Sequence, residues 1–398
     1  MIFIDGGIFL SNRYEELDSL RGLAALSVFF SHIYLIFNET LLSKLLFEYG
    51  LLRGMVAGSE AVTLFFVLSG FVLSIPFYSN KDFNYGEFAV KRFCRIYIPY
   101  IVAIVITFIF REIFYTGKIH GLTDWFNVNW SVSLNANAII DHLLLLGTFT
   151  SNLNNVVWSL VHEMRISLMF PFIMFLLIKL NMKQGIGLAF TLSVMSILFS
   201  LTADNPFLGT ELYYSVHLTS LFIVGALLAK FRYDIINYLL NLKFKSKMFI
   251  FILGLILYLY AHPSFVLNIL IRDFNPFYRA VIDTWITSIG AAILIIFALS
   301  SVRFSKILKN KLVNYLGKIS YSLYLYHLAV LFTFIHLFYN IMPLWVICLI
   351  SIIGTFIISS CMYHLIEKPA IKIGKLLTKN TNSKNIGKSS SDRPINIS

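Results

Sequence analysis

Charge is what this sequence has least of. Asp, Glu, Lys and Arg make up 13% of its 398 residues, about half the share of an ordinary soluble domain. Cysteine is nearly as scarce: Cys94, Cys348 and Cys361 supply neither a disulfide framework nor a Cys-rich metal site. There is no P-loop, no Gly-x-Ser-x-Gly elbow and no zinc-type ligand cluster, so nucleotide-cradle, serine-hydrolase and metal-site readings lack their motifs. In place of charge there is apolar bulk. Hydrophobic residues are 58% of the chain, with 38 Phe and 21 Tyr, and the mean hydropathy is +0.77. So much aromatic surface would collapse in water, which excludes intrinsic disorder. It also exceeds what one soluble core can bury, and the chain reads as an all-α polytopic membrane protein.

Lipid offers backbone polar groups no partners, so a spanning segment must be a helix of about 20 residues. Ten apolar runs of this kind fall at roughly 18–38, 57–78, 94–115, 156–178, 185–203, 212–230, 248–262, 279–300, 314–338 and 342–366. An eleventh run, 138–149, is short and lies in a polar Asn/Trp/Ser stretch, so it is expected to be re-entrant or interfacial. The first ten residues carry no basic n-region and no small-residue cleavage site follows the first run, which predicts a retained span. Residues 14–369 form one transmembrane domain in this reading. Pro369 stops the last helix, and 370–398 is a basic, polar, disordered tail.

The formal net charge of +12 would suggest nucleic acid in a soluble protein. Here it follows topology. With ten spans and both termini in the cytoplasm, 24 of the 32 Lys and Arg lie on the inner side or at its boundary, a strong positive-inside bias. An eleventh span would reverse every later loop and destroy it. Nucleic acid is therefore discarded as a partner, and a multi-pass protein of the plasma or inner membrane, in contact with its lipids, is expected.

Ionisable groups inside a bilayer cost several kcal/mol unless buried and paired, so they mark function. Arg21 and His32 are 11 residues apart, close to three turns, on one helix face about 16 Å apart. Arg21 can snorkel to lipid phosphate or bind a ligand anion, and His32 can be a packed core histidine or a reactive one. The stretch Trp158-Ser159-Leu160-Val161-His162-Glu163-Met164-Arg165 is the most polar intramembrane segment. Glu163 and Arg165, two residues apart, do not face each other, so each needs a partner on another helix. Ser320, Tyr321, Tyr324 and His327 make a polar stripe that either glues helices together or lines a site. Arg92 and Arg95, one turn apart at the inner surface, can hold one anion together or anchor headgroups, and Glu367 can pair with them.

Taken in order, these residues resemble the acyltransferase-3 family of bacterial integral-membrane acyltransferases. The matching segments are Asp18-Ser19-Leu20-Arg21-Gly22-Leu23-Ala24-Ala25 with His32, Phe65-Phe66-Val67-Leu68-Ser69-Gly70-Phe71, Arg92-Phe93-Cys94-Arg95, Trp158-Ser159-Leu160-Val161-His162-Glu163, Ile319 to His327, and Glu367-Lys368-Pro369. The resemblance implies transfer of an acyl group, usually acetyl, from cytoplasmic acyl-CoA to a hydroxyl of a cell-envelope glycan or lipid-linked saccharide. No bound cofactor or metal is implied, since acetyl-CoA is the donor substrate. A cationic mouth of Arg21, Arg92 and Arg95 suits the donor phosphates, and a deep histidine suits the thioester.

His32 and Glu163 are thus the expected catalytic residues, with His32 either a general base or a transient acyl carrier. Trp158, Ser159, Arg165, Tyr321, Tyr324 and His327 are expected to line the substrate cavity. The competing class is a secondary transporter of a small anion or sugar, for which intramembrane Glu, His and Arg are also suitable material.

Overall fold

The computed structural model describes residues 14–79, 83–131, 136–145, 153–203, 207–271 and 274–391. Among these residues the secondary structure is helical, with no strand. The long helices are α1 (Glu15–Tyr34), α2 (Gly58–Ser74, prolonged by a 3-10 turn to Tyr78), α3 (Tyr85–Phe114), α4 (Val157–Leu177), α5 (Met182–Ser200) and α6 (Leu212–Lys230). They are followed by α7 (Phe244–Leu259), α8 (Pro263–Leu270), α9 (Pro276–Ser300), α10 (Lys311–Phe338), α11 (Leu344–Met362) and α12 (Lys368–Ser391).

Eight of these segments are long and apolar enough to cross a membrane, and α7 with α8 makes a ninth if the pair, bent by 47°, is one span. The short seventh run of the sequence is this broken element. Its first half ends at Leu259 and Pro263 opens the second, because a proline is best placed in a first helical turn. Helix α1 carries Glu15, Glu16 and Asp18 in its first turn, yet its 20 residues reach about 30 Å and it packs along α10. The chain is an all-α polytopic membrane protein, as its composition requires.

Local sequence sets the helix ends. Asn84 accepts from the Glu87 amide at 3.1 Å, Asn275 from Phe277 at 2.8 Å and Asn310 from Leu312 at 3.0 Å. Each satisfies an N–H that the helix leaves without a partner. Asn181 and Gln184 form a reciprocal capping box. At the other polarity, Lys230 Nζ donates to the carbonyls of Leu177, Ile178 and Leu180, placing a cation where the α4 dipole is negative.

Two close crossings hold the site. A Cβ on Gly22 would lie 2.5 Å from Gly317 N, and one on Gly317 would lie 2.5 Å from Asp18 O, so α1 and α10 touch backbone to backbone. Gly70 of α2 meets Phe222 of α6, and Gly225 meets Val67, equally closely. Lipid tails supply no hydrophobic drive between helices, and small residues allow the contact that replaces it.

The chain past Pro369 departs from the sequence expectation. A π-helical turn, Tyr363–Glu367, joins α11 to α12 in one continuous helix, and Pro369 lies inside it, just past this local change in the helical hydrogen-bond ladder. Ala370 is buried and Gly374 lies against Cys94 and Lys91 of α3. The expected tail thus begins as a helix docked on α3; residues 392–398 lie outside the described residues. Within the expected eleventh run, Ala136–Leu144 is a short helix. Tyr97 and Tyr100, from the middle of α3, donate to the carbonyls of Leu143 at 2.7 Å and His142 at 2.6 Å. Residues 146–149 of that run lie outside the described residues.

Candidate active site

A cavity of about 870 Å³ opens where α1, α3 and α10 begin and where α2 and α12 pass. Six cations line it, Arg21, Arg92, Arg95, Arg232, Lys318 and Lys375, against three carboxylates, Asp18, Glu163 and Glu367. It runs inward to Ser159 and Glu163 on α4 and to Val62 and Phe66 on α2, residues close to the opposite ends of their helices. Because Tyr14, Asp18, Glu367 and Lys375 line one cavity, α1 starts and α12 runs at the same end of the bundle.

Glu163 finds the partner its position demands. Arg92 Nη2 lies 2.5 Å from Glu163 Oε1, and Arg92 Nε donates to Ser167 Oγ at 3.0 Å. Ser69 Oγ adds a longer donation to Glu163 Oε1 at 3.4 Å. Arg92 is therefore committed to α4, and does not stand beside Arg95 as a matched pair for one anion. Arg95 is exposed in the cavity and makes no hydrogen bond or ion pair among the described residues. Arg21 reaches the Leu68 carbonyl at 3.4 Å and Asp18 at 3.6 Å. Glu367 accepts from Ser322 Oγ at 2.6 Å.

On the wall above Glu163, Ser159 Oγ and Tyr324 Oη share a hydrogen bond of 2.7 Å, and Tyr321 Oη donates to the Ile96 carbonyl at 2.8 Å. All three residues line the cavity, whereas His32, His327, Trp158 and Arg165 do not. His32 stands in the last turn of α1, its ring stacked on Trp125 with centroids 5.3 Å apart. Its Nδ1 lies 2.8 Å from His327 Nε2, and His327 Nδ1 lies 3.0 Å from the Leu323 carbonyl. A carbonyl only accepts, so a neutral His327 carries its proton on Nδ1 and accepts at Nε2. His32 then donates from Nδ1, which leaves its Nε2 as a free acceptor. The His327 ring lies 6.2 Å from that of Tyr324, so the histidine pair adjoins the cavity through Tyr324.

Arg165 turns away, donating to the Thr210 carbonyl at 2.6 Å and to Ser215 Oγ at 3.2 Å. Trp158 lines a second, smaller pocket with Glu60, His262 and Asp283. Sequence reasoning singled out neither that cluster nor Arg232, Lys318 and Lys375. The available signals were Glu60 and Asp283, carboxylates in otherwise apolar runs, which the rule applied to Glu163 covers equally. Lys318 falls just before the tyrosine-rich stretch and carries no motif of its own.

These features define a polytopic helical membrane protein with a deep cationic cavity that ends among paired polar side chains. The chain belongs to the acyltransferase-3 family: residues 14–364 match it, under the description of an acyltransferase domain. It is 23% identical over 384 residues to the peptidoglycan O-acetyltransferase OatA of Listeria monocytogenes, covering 92% of this chain and 57% of that protein. It is 27% identical over 395 residues to the O-acetyltransferase OatA of Staphylococcus aureus, covering 92% of this chain and 58% of that protein. The chain thus spans somewhat over half the length of these curated relatives. No solved structure matches it.

Proposed function

We propose that this protein is a multi-pass enzyme of the plasma or inner membrane that moves an acyl group, acetyl in the first instance, from acyl-CoA to a hydroxyl of a cell-envelope glycan. The observation that carries the reading is the cavity: five cations, Arg21, Arg95, Arg232, Lys318 and Lys375, toward one end and the Ser159–Tyr324 and Glu163–Arg92 pairs at the other. Acyl-CoA has that polarity, with phosphates at one end of a long arm and a thioester at the other. Arg21, Arg95, Lys318 and Lys375 receive the phosphates, while Arg92 adds charge from its place beside Glu163. The positive-inside bias puts this end, and both termini, in the cytoplasm. The relatives' printed activity, O-acetylation, and in one case their printed acceptor, peptidoglycan, point to the same chemistry.

In this reading the acceptor hydroxyl attacks the thioester carbonyl. A new C–O bond forms as the C–S bond breaks, the hydroxyl proton passes to a base, and CoA leaves as the thiol. His32 Nε2, the free acceptor of the histidine pair, is the proposed base or transient acyl carrier. Glu163 is the carboxylate at the inner end of the cavity. The test is purified protein with acetyl-labelled CoA and cell-envelope glycan. Label on the glycan, released by mild alkali as an ester is, supports the reading. Movement of solute across vesicles without covalent label makes the protein a transporter instead.

A further inference from the structure

The second pocket, of about 150 Å³, lies at the opposite end of the bundle from the cations. It has room for about five waters at 30 Å³ each. Its walls come from the N-terminal parts of α2, α4 and α6, from Ala280 to Thr287 of α9, and from His262 at the break between α7 and α8. Val62 and Phe66 line both this pocket and the cationic cavity, so α2 forms a thin partition between the two.

The chemistry of its walls is specific. Glu60 is 1% exposed and is held by Arg53, by His262 Nε2 at 2.9 Å and by Ser59 Oγ at 2.9 Å. Asp283 accepts from Ser264 N at 3.0 Å and Ser264 Oγ at 2.5 Å, with His262 Nδ1 at 3.7 Å. A carboxylate offers about four lone-pair sites, so Asp283, with Ser264 and His262 against it, keeps capacity to accept. Donors line the same pocket. Tyr214 is 5% exposed, lines the pocket, and its Oη makes no hydrogen bond among the described residues. The Trp158 Nε1–H is likewise without one. The two rings stack, with centroids 6.1 Å apart and planes at 14°. A buried polar group ordinarily has a partner, and the Tyr214 hydroxyl lines the pocket without one among the described residues.

We propose that this pocket binds a pyranose ring of the acceptor, with sugar hydroxyls donating to Asp283 and accepting from Tyr214 and Trp158. A hydroxyl does both at once, which matches a carboxylate with spare capacity and unpaired donors around one pocket. A bound ring lies across Val62 and Phe66 from the donor cavity, within reach of a thioester at its end. The inference rests on the transfer reading above and names the part of the acceptor that the protein holds.

The test separates the two. Free N-acetylglucosamine, glucose and galactose are titrated into the detergent-solubilised protein without acyl-CoA, and binding is followed by tryptophan fluorescence and by calorimetry. At least one should bind. Tyr214→Phe removes only the unpaired hydroxyl, so it should weaken that sugar five-fold or more without lowering the melting temperature, and Asp283→Asn should weaken it at least as much. A packing role for Tyr214 predicts no loss of sugar affinity in a protein at least as stable. No binding by any of the three sugars, or affinity unchanged in both variants, overturns the pocket assignment even where label transfer from acetyl-CoA succeeds. Sugar binding that both variants weaken, with no label transfer, leaves the pocket in place and removes the transferase reading.

Discussion

The guanidinium of Arg92 and the carboxylate of Glu163 meet at 2.5 Å on the wall of the cationic cavity, joining α3 to α4. Both charges are largely withdrawn from water, with side-chain exposures of 9% and 24%. Breaking such a pair from one side leaves a charge without compensation, at a cost of about 3–5 kcal/mol. Arg92→Ala should therefore lower the melting temperature in detergent markedly. Arg92→Ala with Glu163→Gln should cost less than the sum of the single changes, by about 0.5–3 kcal/mol. Additive effects would mean that the two groups do not depend on each other.

Arg95 and Lys375 line the cavity with no side-chain partner among the described residues, so they should act on donor binding and not on the fold. A charge-assisted contact is worth about 1.5–3 kcal/mol. Arg95→Ala should raise the KM for acyl-CoA by roughly ten-fold or more, with kcat little changed and the melting temperature held. The effect should shrink as salt is raised, since exposed charges are screened. Equal KM values in wild type and variant would return Arg95 to the role of a headgroup anchor.

The histidine pair gives a tautomer-specific expectation. His32→Gln cannot take up a proton, and kcat should fall by about 10²–10⁴ with the KM for acyl-CoA unchanged. At position 327 the requirement is an acceptor for His32 Nδ1–H. His327→Gln can supply one through its carbonyl oxygen and should retain much of the activity, whereas His327→Leu should lose most of it. The same loss in both would mean that His327 does more than orient its neighbour.

Gly317 tests the frame that holds these groups. A Cβ there meets the backbone of Asp18, which cannot step aside as a flexible side chain can. Gly317→Ala should separate α1 from α10 and destabilise the protein by about 1–3 kcal/mol, measured by thermal denaturation in detergent. It should also lower kcat by moving His32 from His327. Wild-type stability would contradict the close crossing.

How much of this was legible depends on which force wrote it. The all-α membrane architecture was readable because lipid compels runs of about 20 apolar residues to be helices; among the described residues eight such helices, or nine with the bent α7–α8 pair, stand where ten runs were expected. The need of Glu163 and Arg165 for partners on other helices followed from their two-residue spacing. Which partners they take did not, because Arg92 lies 71 residues from Glu163 and only the packing of α3 on α4 joins them. The His32–His327 bond, across 295 residues, depends in the same way on the Gly22–Gly317 crossing. Pro369 reads as a stop because a proline disrupts a helix interior, but the helix runs on through it, with a π-helical turn, Tyr363–Glu367, just ahead of it. Glu60 and Asp283 were visible as carboxylates in apolar runs and were passed over because no motif surrounds them.

The central claim is that the donor enters from the end that carries Arg21, Arg95 and Lys375 while the acceptor lies at the other. The direct measurement is label transfer in sealed membrane vesicles of defined orientation, scored by the access of an impermeant thiol reagent to a cysteine at Lys243, which the proposed topology places on the cytoplasmic side. Acetyl-labelled CoA supplied to that side alone should place label on glycan at the opposite face, and Arg95→Ala should weaken the signal at limiting acetyl-CoA. Label transferred only when acetyl-CoA is supplied at the face opposite Lys243 would contradict the account.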